Sequence, residues 1–478
     1  MSTELKTVLD HKKISLSEAE YYRIQNNLKY YESNFEDVNY INTDGVSQTR
    51  KFNHLPLGKT VSKKLASLVY NELAEITLDD KRANEFVNDI LKNDRFNKNF
   101  ERYLESGLAL GGLAMRPYVD NDTIKIAFIQ APVFVPLQSN AQDVSSAAIV
   151  MKSRKDDKYY TLLEFHEWKN GVYRITNELY KSDKKDKVGT RTLLSDLYDD
   201  LEETVELRNL SRPLFTYLKP PGMNNRDINS PLGLSIYDNA KTIIDFINQT
   251  FDEFSWEVKM GQRRVAVPRQ TVRTHFRDDG ERVIKSQHFD PNQNIFMQLD
   301  GADEHIGIKD LTTDIRSSSY ISAINEGLRY FEMQIGVSPG MFTFDGKAMK
   351  TATEVVSENS DTYRMRNSIV SIVKHSIAEL IVSICELAKA YKLYDGVIPK
   401  LDEISVNLDD GVFTDRNNEL DYWSKAYATG FIPKTLGIEK ILGITEEKAE
   451  EVAAQIADEE LDRINMTRSQ LDVNTYGE

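Results

Sequence analysis

Several groups of side chains in this sequence have the types that chemistry requires, and each departs from the spacing that chemistry requires. Asp290, Asn292 and Asn294 begin like a calcium loop, with oxygen ligands at alternate positions. The sixth position, however, is Ile295 instead of the glycine that makes the sharp turn, and the twelfth is Gly301 instead of the bidentate glutamate. His166-Glu167 starts like the zinc motif H-E-x-x-H, but the second histidine is missing and the stretch reads as a strand, where residues four apart do not share a helical face. Gly107, Gly111 and Gly112 follow a helical run without the Lys-Ser/Thr pair of a phosphate cradle, so they read as a helix-to-sheet turn. The dispersed histidines and the single cysteine, Cys385, supply no recognisable set of zinc ligands and no intrachain disulfide. Asp409-Asp410-Gly411 with Asp415 is a cluster of carboxylates that could hold a cation or split its pKa values for acid–base hydrolysis. The same residues suit a turn leading into a helix N-terminus, where acids oppose the positive end of the dipole. The turn is the preferred reading; a hydrolase using Asp409 and Asp410 is an alternative that would need a pocket around them. No catalytic residue, cofactor or metal is assigned.

The elements around these groups read as α+β. Val61–Leu73 and Ala83–Leu104 carry apolar residues three and four apart, as amphipathic helices do. From Leu113 to about Lys181 the pattern turns to short strands, Thr123–Ile129, Ala147–Lys152, Tyr159–Trp168 and Gly171–Asn177, with hairpin turns expected at Asp120-Asn121-Asp122 and Lys169-Asn170-Gly171. The Pro-, Gly- and Asn-rich stretch 219–233 reads as a boundary. Beyond it Tyr237, Ala240, Ile244, Ile247, Phe251, Phe254 and Val258 recur at alternating spacings of three and four, a seam of period 3.5. Such a seam serves either a core-facing helix or a helix packed on a second helix or on copies of itself.

Short strands with Asp and Gly turns fill 263–315, and a second helix is expected from about Thr313 to Ile335, stopped by Gly336, Pro339 and Gly340. A long helix follows to about Leu393, then a strand at Glu403–Leu408 and helices near Asp415–Thr429, Pro433–Leu442 and Thr445–Asn465. The most apolar window, Ile369 to Tyr391, is interrupted by Lys374, His375, Glu379, Glu386 and Lys389 and reads as a buried helix, not a membrane span. The N-terminus has no apolar core of a signal peptide.

With 478 residues the chain calls for more than one core, and 40% apolar residues suffice to build them. The formal net charge of −15 disfavours a conventional DNA-gripping module, yet it suits a surface that DNA must slide past, because like charges do not adhere. One cysteine in 478 residues is the usage of a reducing compartment.

The order of these elements resembles the portal (head–tail connector) proteins of tailed bacteriophages, in the branch found in siphophages of Gram-positive hosts. Four stretches carry the likeness: LALGGLAMRPYVDNDTIKIAFIQAPVFVPLQ, SPLGLSIYDNAKTIIDFINQTFDEFSWEVKMGQRRVAV, YFEMQIGVSPGMFTFDGKAMKTATEVVSENSDTY and ISVNLDDGVFTDRNNELDYWSKAYATGFIP. The resemblance implies a multi-domain α+β portal fold with an antiparallel-sheet wing, a helical stem, a small β-rich clip, a long helix and a helical crown. In this sequence it places the N-terminal region and wing at 1–230, stem helix 1 at 231–262, the clip at 263–315, stem helix 2 at 316–340, a tunnel loop at 341–352, the long wing/crown helix at 353–393, and crown and tail at 394–478.

The resemblance further implies a ring, typically of twelve subunits, at one capsid vertex of the virion, assembled in the host cytoplasm, through which double-stranded DNA is packaged, retained and ejected without sequence readout. Twelve copies would carry a formal charge of about −180, most of it on surfaces. By position, Lys347, Lys350 and Thr351 of the tunnel loop would come closest to DNA. The clip, made locally basic by Arg263, Arg264, Arg269, Arg273 and Arg277, would dock the terminase and later the head-completion adaptor. The wing would meet major capsid and scaffold protein, and Tyr237, Ile244, Ile247, Phe251 and Phe254 would form the stem seam. No membrane partner is implied. Another virion structural protein, an adaptor or minor capsid protein, is the alternative of the same class.

Overall fold

Two-residue turns that tolerate positive φ set the central sheet. The computed structural model describes residues 4–41, 45–70, 74–140, 143–261, 314–343, 360–408, 416–442 and 449–457, with the backbone of 265–266, 274–278, 283–287 and 309–310. Strands β7 (Val144–Lys155), β8 (Lys158–Lys169) and β9 (Val172–Ser182) run antiparallel through turns at Asp156-Asp157 and Asn170-Gly171. Asp156, Asn170 and Gly171 take φ of 54°, 52° and 77°, the left-handed conformation that matches strand twist in tight hairpins. Strand β6 (Phe134–Ser139) extends the sheet beyond β7, with an irregularity at Gln138. The far edge of β9 is shared by β10 (Thr190–Thr192) and β11 (Thr204–Leu207), which pair with different halves of it. A second sheet has β4 (Leu113–Asp120) between β5 (Thr123–Gln130) and β12 (Thr216–Leu218), the β4–β5 turn using Asn121 and Asp122 at φ 47° and 58°. The four strands expected between Thr123 and Asn177 all exist, each one to several residues longer than the alternating runs suggest, whereas the strand expected at Glu403–Leu408 is confined to Ile404–Asn407.

The first residues of the chain cover one face of the six-stranded sheet. Leu5 exchanges backbone hydrogen bonds with Gly189, and Leu5, Val8 and Ile14 are buried against Val135, Ala148, Val150, Leu163, Phe165 and Tyr180. His11 stacks on Phe165 at 4.9 Å and places Nε2 3.1 Å from Glu178, which also accepts the Tyr180 hydroxyl at 2.8 Å. These partners, His11 first, hold the Glu178 carboxyl down to about 2.

Helices supply the other cores. In α2 (Leu57–Val69), Leu57, Val61, Leu65 and Val69 repeat every four residues and are buried; in α4 (Phe96–Leu110), Phe96, Phe100, Leu104 and Leu108 do the same. The run expected as one helix from Ala83 to Leu104 is two, α3 (Lys81–Asn93) and α4, because Arg95 takes φ 54° and its N–H turns back to the Lys92 carbonyl. That local turn interrupts an apolar periodicity that continues across it. Gly107 does not break α4: the helix runs to Leu110, and Gly111, at φ 92°, and Gly112 both donate to the Gly107 carbonyl.

The long helix α7 is described over Ser360–Ala390 and buries Ile369, Val373, Ile377, Leu380, Ile381, Ile384, Cys385 and Ala388 against α2, α3, β4 and β12. It is apolar and long enough to cross a bilayer, yet most of its apolar window is buried inside the protein, as expected for a core helix. Burial pushes the Cys385 thiol up to about 12.

The chain divides into two units. The second, mainly 407–478, contains α8 (Arg416–Ala428) and α9 (Lys434–Leu442), which pack as a helical hairpin through Gly430 at φ 76° and Pro433, and helical residues 449–457. Asp409, Asp410 and Asp415 lie outside the described residues.

A glutamate with a depressed folded-state pKa stabilises above its unfolded value, 4.5 here, and the contribution disappears as pH falls toward about 2. Hydrogen-exchange protection of residues 4–16, measured against the unstructured rate at the same pH, is therefore expected to fall between pH 4.5 and 2 in the native chain. Glu178→Gln should already exchange fast at pH 7 and lose most of that acid dependence.

Candidate functional site

The paired helices α5 (Lys241–Met260) and α6 (Ser317–Ile335) and their supports form the candidate site. Contacts along the pair fix an antiparallel register. Gly327 faces Ile247 and Phe246, Phe254 stacks on Tyr320 at 5.4 Å, Arg316 pairs with Glu257 at 2.8 Å, and Gly261 faces Ile315. A Cβ on Gly327 would sit 2.7 Å from Ile247 Cγ1 and 3.3 Å from the Phe246 ring, so this glycine lets the helices approach closely.

The seam residues sort along the pair. Tyr237 precedes α5 in a short 3-10 turn, is fully buried, and donates its hydroxyl to the Asn27 carbonyl at 2.9 Å. Ile244 and Ile247 are buried, Phe251 and Phe254 are half-buried, and Val258 is 45% exposed. The seam thus begins as core and ends as surface.

Two sets of charges hold the root and flank of α5. At the root, Arg23 of α1 (Glu18–Glu32) donates to Glu20 at 2.8 Å, to Asp238 at 2.9 Å and to the Gly233 carbonyl at 3.1 Å. Lys241 reaches Asp238 at 2.8 Å, while Asn224 and Ser230 donate to Glu20. Burial alone would raise Glu20 and Asp238, but Arg23 (with Ser230 and Asn224) holds Glu20, and Lys241 and Arg23 hold Asp238, below the ordinary carboxylate range. Burial lowers Lys241. The 219–233 stretch expected as a boundary is packed into this collar; Gly233 and Gly111 meet back to back, each blocking the other's Cβ at 2.7 Å. On the flank, the Arg50 guanidinium grips Asp252 with two bonds of 2.8 and 2.7 Å and lies over Trp256, Asn53 donates to Asp252, and the Leu55 N–H donates to Asn248. Lys241, Asp245 and Asn248, the polar groups beside the seam, therefore serve these anchors; Asp245 accepts the Tyr30 hydroxyl.

The end of α6 has its own clamp. Gly336 takes φ 76°, and the buried Glu332 accepts the N–H groups of Gly340 and Phe342 at 2.9 and 2.5 Å. Ser338 and Thr362 exchange backbone-to-hydroxyl bonds of 3.0 and 3.2 Å, which joins the end of α6 to the start of α7. Lys347, Lys350 and Thr351 lie between these anchors, outside the described residues. So do Arg263, Arg264, Arg269 and Arg273; Arg277 lies on the strand Thr274–Asp278, which pairs with Val283–Gln287.

One group has the look of a catalytic relay. His166 contacts Glu164 at 2.5 Å and Tyr173 at 2.8 Å, and Arg116 reaches Glu164 at 2.6 Å. Because the Glu164 carboxylate can only accept, Nε2–H of the neutral imidazole donates to it, Nδ1 accepts the Tyr173 hydroxyl, and the Tyr173 oxygen accepts the Leu214 N–H. Burial holds His166 below its usual pKa, in keeping with this neutral form. His166 and Tyr173 are fully buried, so no substrate reaches them; the network braces the sheet.

Sequence spacing shows Glu20/Arg23 and Asp238/Lys241 as i,i+3 pairs, but such pairs ordinarily sit on a surface. Nothing in the pattern signals that α1 and the turn before α5 bury them together.

A family model described as phage portal protein, SPP1 Gp6-like, matches residues 10–464. No curated protein matches. Among solved structures, a chain of the virion of a native gene transfer agent particle is 12% identical, with 88% of this chain and 93% of that chain covered and a TM-score of 0.47. A chain of the neck of an empty particle of the same kind is 12% identical, with 81% and 90% covered and a TM-score of 0.45.

Removing one member of a buried ion cluster leaves the others uncompensated, so Arg23→Ala should destabilise the chain by about 3–5 kcal/mol, read as a shift of the denaturant midpoint. For Gly327→Ala, overpacking of about 1–3 kcal/mol opposes a helix-propensity gain of about 1 kcal/mol. With Ile247 wedged at 2.7 Å, the clash is expected to win and lower the melting temperature. Adding Ile247→Ala should make the double variant more stable than the sum of the single effects.

Proposed function

The chain belongs to the phage portal proteins, SPP1 Gp6-like, and from that membership we propose how its surfaces divide the work of a ring-shaped channel at the capsid vertex. Portal proteins are structural components of the virion that assemble as rings at the head–tail connection. In this reading α5 and α6 stand side by side with the same helices of neighbouring copies around a central axis, and the ring holds twelve subunits.

One observation carries the proposal. On α5 and α6, Phe246, Trp256, Val258, Ile321, Tyr330 and Met333 are 44–66% exposed in the isolated chain, whereas the apolar residues of α2 and α4 are buried or half-buried. Apolar side chains left open along two packed helices mark an association surface, and in a cyclic ring each copy presents two different surfaces to its neighbours.

Lys347, Lys350 and Thr351 occupy the segment between α6 and α7 and are proposed to pass closest to the DNA, where two lysines follow phosphates weakly against an otherwise acidic wall. The arginines at 263, 264, 269, 273 and 277 are proposed to dock the terminase during packaging and the head-completion adaptor afterwards. The wing is proposed to meet coat and scaffold protein, with assembly taking place in the host cytoplasm. The alternative of a hydrolase rests on Asp409 and Asp410, which lie outside the described residues, and the family membership favours the structural role over it.

Purified chain is expected to form a closed ring by native mass measurement and electron microscopy; a chain that stays monomeric at high concentration refutes the reading. Lys347→Ala/Lys350→Ala should assemble with the native ring mass and change packaging efficiency or DNA retention. Unchanged packaging would remove both lysines from the DNA-contact surface.

A further inference from the structure

The hairpin β1 (Val38–Ile41) and β2 (Ser47–Arg50) is a two-stranded sheet whose strands, among the described residues, have no further strand neighbour. An isolated two-stranded hairpin is marginal in water, and its residues are almost all exposed. Tyr40, Ile41 and Val46 are open to 42, 74 and 52%. Proteins ordinarily protect such edges with lysine, proline, inward charges or a bulge. Here Val38, Asn39, Tyr40, Ile41, Ser47, Gln48 and Thr49 carry no charge and no proline, and the register Val38↔Arg50 to Ile41↔Ser47 runs without a bulge.

The base of the hairpin is nevertheless firmly held. Arg50, at the end of β2, makes the paired hydrogen bonds to Asp252 on α5 and lies 5.3 Å over Trp256, and Asn53, just after it, binds the same carboxylate. The hairpin is therefore an uncapped β arm fastened to the outer flank of a helix that carries exposed apolar groups of its own. We propose that this arm is an inter-subunit contact. Tyr40, Ile41 and the free edges of β1 and β2 are covered by the adjacent copy of this chain in the ring, and the Arg50–Asp252 clamp aims them there. The partner is a second copy because the arm continues the α5 surface that faces a neighbour in the proposed ring. The inference rests on the ring reading above.

The test is photo-cross-linking in the full-length chain, with p-benzoylphenylalanine at Tyr40. Irradiated rings are expected to give a ladder of covalent oligomers on a denaturing gel, with the Tyr40 peptide joined to a peptide of another copy. In parallel, Tyr40→Lys/Ile41→Lys alters only exposed side chains and should leave the melting temperature unchanged. It should raise the concentration for half-assembly about tenfold, equivalent to about 1.4 kcal/mol. If native rings form but Tyr40 adducts stay within one chain and the double-lysine variant assembles like the native chain, the arm proposal is overturned and the portal reading stands. Adducts found only on a different virion protein overturn it as well. Failure of the native chain to form any ring removes both readings.

Discussion

The placement of the first paired helix depends on a cluster of charges partly sheltered from water, with Glu20 and Asp238 buried and Arg23 and Lys241 at its rim. Glu20, Arg23, Asp238 and Lys241 bring two acids and two bases together where α1, the 219–233 segment and the start of α5 converge. Desolvating four ions is costly, and only their mutual pairing and the added bonds from Asn224, Ser230 and the Gly233 carbonyl offset it. A cluster of this kind is unforgiving of small displacements, so it sets the position and direction of α5 more sharply than apolar contact would. Tyr237 and the Gly111–Gly233 crossing then close the space around it, and α6 inherits its position through Gly327 and the Phe254–Tyr320 stack.

The same logic separates the groups that resemble chemistry from those that could perform it. Arg116, Glu164, His166 and Tyr173 hold the right types in contact, yet they lie between strands of the two antiparallel sheets and satisfy one another. Their role is mechanical: they tie the six-stranded sheet to β4 and to the backbone at Leu214. In a structural virion protein, polar networks of this sort keep layers from sliding, since any slip leaves a buried partner unmatched.

Much of this architecture was readable from local pattern. Alternation and Asn-Gly or Asn-Asp turns marked the wing strands, and Gly336 marked the end of α6. The long α7 showed as an apolar run interrupted by charges. Element order carried the family assignment, because no single stretch is a signature. What stayed hidden depended on backbone conformation or on contacts between residues far apart in sequence. The break at Asp94-Arg95 rests on the left-handed backbone of Arg95, which apolar spacing does not report. The 219–233 segment has the composition of a linker but is held by α1 from some 200 residues away. The seam from Tyr237 to Val258 is continuous in period and discontinuous in burial, since periodicity reports which residues share a face and not what lies opposite. Lys347 and Lys350, and the basic residues from Arg263 to Arg277, came from position within the family pattern alone.

The clasp between Ser338 and Thr362, with Glu332 gathering the N–H groups of Gly340 and Phe342, means that α6 and α7 are joined independently of the chain that runs between them. The closure of that connection is already made by the clasp. Doubling the length of a flexible closed loop costs only about 0.6 kcal/mol, so residues inserted or deleted there would leave the two helices where they are. Frame and connection can thus vary separately: the segment between the two helices is free to change in length and composition while the scaffold they form stays the same.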